Sequence, residues 1–171
     1  LIDDLNKTAE IQKDPIFKKN DLKIGLSWKS VVSIYGKLKS LNLSDFKSLI
    51  KKNRQFINLQ YGDVDEELKQ KVNQDFKIYS FEKIDLFNDL EYLMSILKNL
   101  DVFVTVSNST AHLASAMGVK TFLICPKKSS TYFYWSNENN KTPWYQNVEI
   151  FNIDNSIEEL FKKINESLNN L

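Results

Sequence analysis

The chain holds one cysteine, Cys125, and one histidine, His112, among its 171 residues. A lone cysteine excludes an internal disulfide, and its place at the end of an apolar run marks a buried thiol in a reduced, cytoplasmic setting. One His and one Cys, far apart in sequence, leave no cluster with metal-ligand spacing and no nucleophilic triad. The formal charge is only +1, so the basic excess that marks a nucleic-acid partner is missing. No run is long and apolar enough to span a membrane, and no secretory leader is visible. A Gly-x-Gly-x-x-Gly turn after the first strand is absent, which disfavours a dinucleotide-binding dehydrogenase. A Walker-type loop and a Gly-x-Ser-x-Gly elbow are absent too. Scattered Asp and Glu residues form no recognisable acidic metal motif.

What is present is an ordinary globular composition, 42% hydrophobic and 26% charged, on a chain long enough to bury a sizeable core. Short apolar runs predict strands over Lys23–Trp28, Gln55–Gln60, Lys77–Phe81, Asp101–Val106, Lys120–Cys125 and Asn147–Asn152. Helical spacing predicts helices over Ser44–Lys52, Asp65–Gln74, Asn88–Asn99, Thr110–Met117 and Ser156–Asn169. Strands alternating with helices imply an α/β fold, a Rossmann-like three-layer sandwich around a mainly parallel six-stranded sheet. The fourth and fifth strands are almost continuously apolar, as strands covered on both faces should be. Residues 1–15, with Ile2, Leu5, Ala9 and Ile11 at loosely helical spacing ahead of Asp14-Pro15, read as a connecting helix or linker from an upstream domain. Residues 16–171 read as the domain itself.

With strand order 3-2-1-4-5-6, the first and fourth strands are neighbours and ligands bind beyond their carboxyl ends. Those ends are Ser27-Trp28-Lys29-Ser30 and Ser107-Asn108-Ser109-Thr110. The second passes straight into a short Ala-rich helix, and free N–H groups at a helix start, with the positive end of its dipole, make a receptor for phosphate. Lys29 would face that helix start, an arrangement that holds a diphosphate without a metal. Ser109 or Thr110 could equally be a plain helix cap, and Lys29 a solvated surface lysine. The loop from Pro126 to about Gln146 carries Tyr132, Phe133, Tyr134, Trp135, Trp144 and Tyr145, either stapling itself over the sheet edge or forming a cleft wall. His112 either hydrogen-bonds a phosphate or ties its helix to an adjacent loop. Gln60 and Tyr61 could merely end a strand, and Asn88 could be a helix cap.

Five pieces lie in register with a known family: Gly25-Leu26-Ser27-Trp28-Lys29-Ser30, Asn58-Leu59-Gln60-Tyr61-Gly62-Asp63, Asp85-Leu86-Phe87-Asn88-Asp89-Leu90, Val106-Ser107-Asn108-Ser109-Thr110-Ala111-His112-Leu113-Ala114 and Lys141-Thr142-Pro143-Trp144-Tyr145. On these the chain resembles the C-terminal, donor-binding half of GT-B-fold glycosyltransferases found behind tetratricopeptide repeats in bacteria, related to heptosyltransferases and O-linked N-acetylglucosamine transferases. Many relatives carry an acidic residue where this chain has Asn108 or Ser107, and a glycine where it has Ser115. The resemblance implies that this half binds a nucleotide-diphosphate sugar while an N-terminal domain completes the cleft, supplies the catalytic base and binds a glycan, lipid or protein acceptor. It implies direct displacement with inversion, no metal, no cofactor beyond the nucleotide-sugar substrate, and an isolated chain that transfers nothing. Lys29 would be the catalytic residue, neutralising the leaving phosphate. Ser109 and Thr110 would hold the diphosphate, Gln60 and Tyr61 would lie near the base or ribose, and Ser27, Asn88, Asn108 and His112 would line the same donor site. The rival readings are a catalytically inactive nucleotide- or partner-binding module, or a nucleotide-sugar epimerase on the same fold.

Overall fold

The computed structural model describes residues 9–18, 20–30, 36–70, 76–125, 134–135, 142–153 and 155–171. Six strands, β1 (Leu22–Ser27), β2 (Arg54–Asn58), β3 (Ile78–Tyr79), β4 (Val102–Val106), β5 (Thr121–Cys125) and β6 (Val148–Asn152), form one sheet in the order β3-β2-β1-β4-β5-β6. Every neighbouring pair is parallel. The helices are α1 (residues 9–13), α2 (Gly36–Lys39), α3 (Asp65–Lys69), α4 (Leu90–Lys98), α5 (Ser109–Ala116) and α6 (Ile157–Asn169). The arrangement is a Rossmann-like α/β fold with the common strand order assumed above, so β1 and β4 lie side by side.

Side-chain alternation along the strands assigns the two faces. Ile24, Leu26, Val102, Val104, Val106, Phe122 and Ile124 pack on one face with Phe46 and with Leu160, Phe161, Ile164 and Leu168 of α6. Ile57, Leu59 and Phe103 face the other way against Leu93, Ile96 and Leu97 of α4. Gly25 shares that second face because a Cβ there would come within 2.5 Å of the Leu100 side chain and 3.0 Å of Leu59 and Phe103. Ile11 is 4% exposed and joins the same cluster. The stretch from residue 9 onward is therefore packed on the domain.

Two helices differ from expectation for identifiable reasons. Residues Leu43–Leu49 form a 3-10 helix where an α-helix over Ser44–Lys52 was expected. The buried side chains Leu43, Phe46 and Leu49 recur every three residues, which is the period of a 3-10 turn. The short helix α2 escaped the periodicity altogether, since four residues carry no pattern. By contrast α5 ends as Ala-rich helices often do, on Gly118 at φ +80°. Val119 N–H donates to Ala114 O at 3.0 Å and Gly118 N–H to Ser115 O at 3.1 Å, closing the exposed carbonyls in a Schellman arrangement.

Candidate functional site

The carboxyl ends of β1, β2 and β4 are tied together by three buried polar side chains. Ser27 closes β1, Gln60 follows β2 and Asn108 follows β4. The Gln60 Oε1 accepts from Lys29 N–H at 2.7 Å, Trp28 N–H at 2.8 Å and Ser27 Oγ at 3.1 Å. Its Nε2 donates to Tyr61 O at 2.8 Å. Asn108 Nδ2 donates to Ser27 Oγ at 2.8 Å and to Lys29 O at 3.4 Å. Buried polar groups need partners to offset lost hydration, and these three supply them to one another. Ser27, Gln60 and Asn108, all expected to meet ligand, thus spend these side-chain atoms on shaping the loop that carries Lys29.

Asn108 is also the N-cap of α5, in extended geometry, with Oδ1 accepting from Ala111 N–H at 2.9 Å. The capping role weighed for Ser109 or Thr110 therefore falls one residue earlier. Ser109 and Thr110 become the first two helical residues, whose N–H groups have no intrahelical partner. Because Asn108 also reaches the Lys29 carbonyl, the Lys29 backbone and the start of α5 are brought beside each other. Lys29 Nζ pairs with Glu67 Oε2 at 2.5 Å. Glu67, on α3, takes Trp28 Nε1–H at 2.9 Å on the same oxygen and Leu43 N–H at 2.9 Å on the other. Burial alone would raise the Glu67 carboxyl, but the hydrogen bonds from Leu43, Lys29 and Trp28 outweigh it and hold it below the usual carboxylate range. No sequence signal marked Glu67, because its partners Leu43, Lys29 and Trp28 lie 24 to 39 residues earlier in the chain.

Beyond the strand ends lies a cleft of about 870 Å³ whose lining includes Asn58, Gln60, Tyr61, Ser80, Phe87 and Asn88. Beside it, Ser109 and Thr110 open into a hollow of about 200 Å³ lined by Tyr61, Leu86, Phe87 and Leu90. Tyr61 and Phe87 stand between the two, ring centroids 6.0 Å apart. Phe87 and Leu90 are 65% and 53% exposed, an apolar rim that sequence reasoning missed. Asn88 is not a helix cap; that position belongs to Asp89. Its Nδ2 donates to Asp85 Oδ2 at 2.7 Å. That bond and N–H donation from Phe87 and Asn88 hold the Asp85 carboxyl below its ordinary value.

His112 sits apart from this cleft among aromatic rings. It stacks on Trp135 at 4.3 Å and meets Tyr134 edge-on at 5.0 Å, with Nδ1 3.3 Å from Tyr145 Oη. Trp135 is 1% exposed and its Nε1–H donates to Ser107 Oγ at 3.0 Å. The ring contacts tie α5 to the described parts of the aromatic loop, whereas Tyr132 and Phe133 lie outside the described residues and Trp144 stands 66% exposed. Burial pushes the His112 pKa below 6.5. A depressed folded pKa means that the unfolded chain takes up the proton more readily, so the stabilisation is complete above about pH 6.5 and drains away as pH falls through the folded value. Thermal melts from pH 5 to 8 are expected to show this decline, and His112→Gln should remove that part of it. Parallel pH profiles for the two proteins would contradict the assignment. At the far end of β5, burial raises the Cys125 thiol to about 12 although Lys39 partly opposes it, so the thiol stays protonated and unreactive near neutrality.

Comparison with known proteins adds three findings. No family model matches the chain. The protein FlbA of Caulobacter vibrioides is 34% identical over 101 residues, which is 56% of this chain and 16% of FlbA. Among solved structures, the family 9 glycosyl transferase of Veillonella parvula superposes with a TM-score of 0.60 over 98% of this chain, at 14% identity. The E. coli ADP-heptose lipopolysaccharide heptosyltransferase II does so with a TM-score of 0.62 over 96%, at 13% identity. This chain has a glycosyltransferase-like fold. It spans 44% and 52% of those two enzymes, about half of each. Among the described residues no helix is long and apolar enough to cross a membrane.

Proposed function

We propose that this chain is the donor-binding half of a glycosyltransferase that moves a sugar from a nucleotide-diphosphate sugar to a glycan, lipid or protein acceptor. The observation that supports the reading is that Asn108, at the β1/β4 switch, caps α5 and also bonds the Lys29 carbonyl, so the β1 loop that carries Lys29 is tied to the helix start at Ser109 and Thr110. In the reaction, an acceptor oxygen bonds to the anomeric carbon as the bond from that carbon to the diphosphate oxygen breaks, with inversion. The electron pair leaves on the diphosphate and the acceptor proton passes to a general base. Lys29 and the α5 amides stabilise the departing charge, each such donor contributing on the order of 3 kcal/mol when preorganised. Tyr61, with Phe87, lines the neighbouring space for base or ribose. The acceptor surface and the general base are assigned to a second domain of a longer protein, near tetratricopeptide repeats, so the isolated chain binds donor without transferring it.

A thermal-shift panel of UDP, GDP, ADP and CMP derivatives tests the reading. A ligand at a hundred times its Kd adds about 2.7 kcal/mol of stability, which a melt resolves. If none of the panel stabilises the protein, the donor-site reading is wrong. In this reading the diphosphate charge is balanced by a lysine and backbone dipoles. EDTA is accordingly expected to leave nucleotide binding unchanged. A strict need for magnesium or manganese in the same titration would overturn the metal-free mechanism.

A further inference from the structure

The Glu67–Lys29 pair deepens the nucleotide-sugar reading and rests on it. On that reading Lys29, in the loop after β1, is the cation that meets the diphosphate, and its Nζ lies 2.5 Å from a carboxylate whose side chain is only 11% exposed. Glu67 is not free to swing away, because Trp28 Nε1–H and Leu43 N–H hold its two oxygens. An ammonium has three N–H donors. One is committed to Glu67, and two remain for a ligand. We infer that Glu67 is a positioning residue that both aims Lys29 and limits how strongly it grips a free nucleoside diphosphate, so that the site favours the donor over the product.

The reasoning is electrostatic. A diphosphate linked to a sugar carries two negative charges, whereas the released diphosphate gains most of a third on its terminal phosphate. A fixed carboxylate beside Lys29 repels each of those charges, and it repels the more highly charged product more. An unpaired lysine would bind the product too well, and release of product limits turnover in many enzymes. The bland alternative is that Glu67 only braces Trp28 and Leu43, in which case removing its charge changes stability and leaves the balance between donor and product where it was.

The experiment compares the wild type with Glu67→Gln by calorimetric titration of a nucleoside diphosphate and of its sugar-linked form. The nucleotide is the one that stabilises the wild type most. Glu67→Gln is expected to tighten the free diphosphate by about tenfold and the sugar-linked form by less. The gain should vanish in the double variant Lys29→Ala, Glu67→Gln, because it acts through Lys29. Should Glu67→Gln fail to fold, Glu67→Asp keeps the charge at shorter reach and is expected to tighten the diphosphate by a smaller factor, about threefold. Unchanged or weaker diphosphate binding in a folded variant, or a gain that persists without Lys29, overturns the inference while the donor site stands. A wild type that binds no nucleoside diphosphate overturns both. Lysine acylation read by peptide mass spectrometry checks the pair itself, with Lys29 labelled several-fold faster in Glu67→Gln.

Discussion

Replacing Lys29 by alanine is expected to weaken nucleoside diphosphate binding by about tenfold while changing binding of the matching monophosphate much less. A hydrogen bond to a charged group contributes roughly 1.5 to 3 kcal/mol, and the lower end applies because the Lys29 side chain is 38% exposed and screened by solvent. The selectivity follows from the proposed roles, in which the lysine and the α5 start address phosphates and the base is held elsewhere. The substitution also removes the Lys29 ammonium from Glu67, which keeps the Trp28 and Leu43 donors. Its carboxyl then moves up from a depressed value. Since a depressed carboxyl contributes stability that is present above its unfolded pKa and lost as pH falls through the folded one, the variant's acid unfolding should begin at higher pH. Isothermal titration with mono- and diphosphate, followed by acid melts, checks both parts. Equal loss for the two nucleotides would remove Lys29 from the phosphate site.

Trp135→Ala should cost about 3 to 5 kcal/mol, the usual range for emptying a large buried ring, and lower Tm by roughly 10 °C in a chain of this length. Trp135 is 1% exposed, packs with Leu123, Val148 and Ile150, and lies parallel to the His112 ring. Its indole N–H also holds Ser107, the residue before the α5 cap. Trp135→Phe keeps a smaller aromatic ring and deletes that bond, so it should cost less than the alanine variant, about 1 to 3 kcal/mol. Thermal denaturation of both variants decides the matter. A loss below about 1 kcal/mol for the alanine variant would mean that Trp135 does not anchor the cluster of Leu123, Val148 and Ile150.

The strands were legible in the sequence because fully covered parallel strands must be apolar throughout, as Val102–Val106 and Thr121–Cys125 are. The order assumed for them is the common one for such alternating α/β chains, and the sheet has it. The candidate site was legible as a place, since small polar residues at strand ends can meet either a ligand or one another. Which of the two they do was not legible. Ser27, Gln60 and Asn108 turn inward to each other, and only the fold shows that the Gln60 carbonyl oxygen faces three donors at once. Glu67 was invisible because a carboxylate on a charged helix looks solvated until Trp28 and Lys29 close over it. Leu90 falls inside the helix expected over Asn88–Asn99 and Phe87 just before it, and an exposed apolar rim leaves no periodic trace there.

Amide chemical-shift mapping of the isotope-labelled chain, titrated with a nucleoside diphosphate, tests the donor site most directly. Free N–H groups at a helix start that accept a phosphate gain a charge-assisted hydrogen bond. The Ser109 and Thr110 amide signals should therefore move furthest, with Lys29 and Tyr61 shifting beside them. Saturable shifts centred elsewhere, such as along α6, or no shift at Ser109 and Thr110 at saturating nucleotide, would contradict the account.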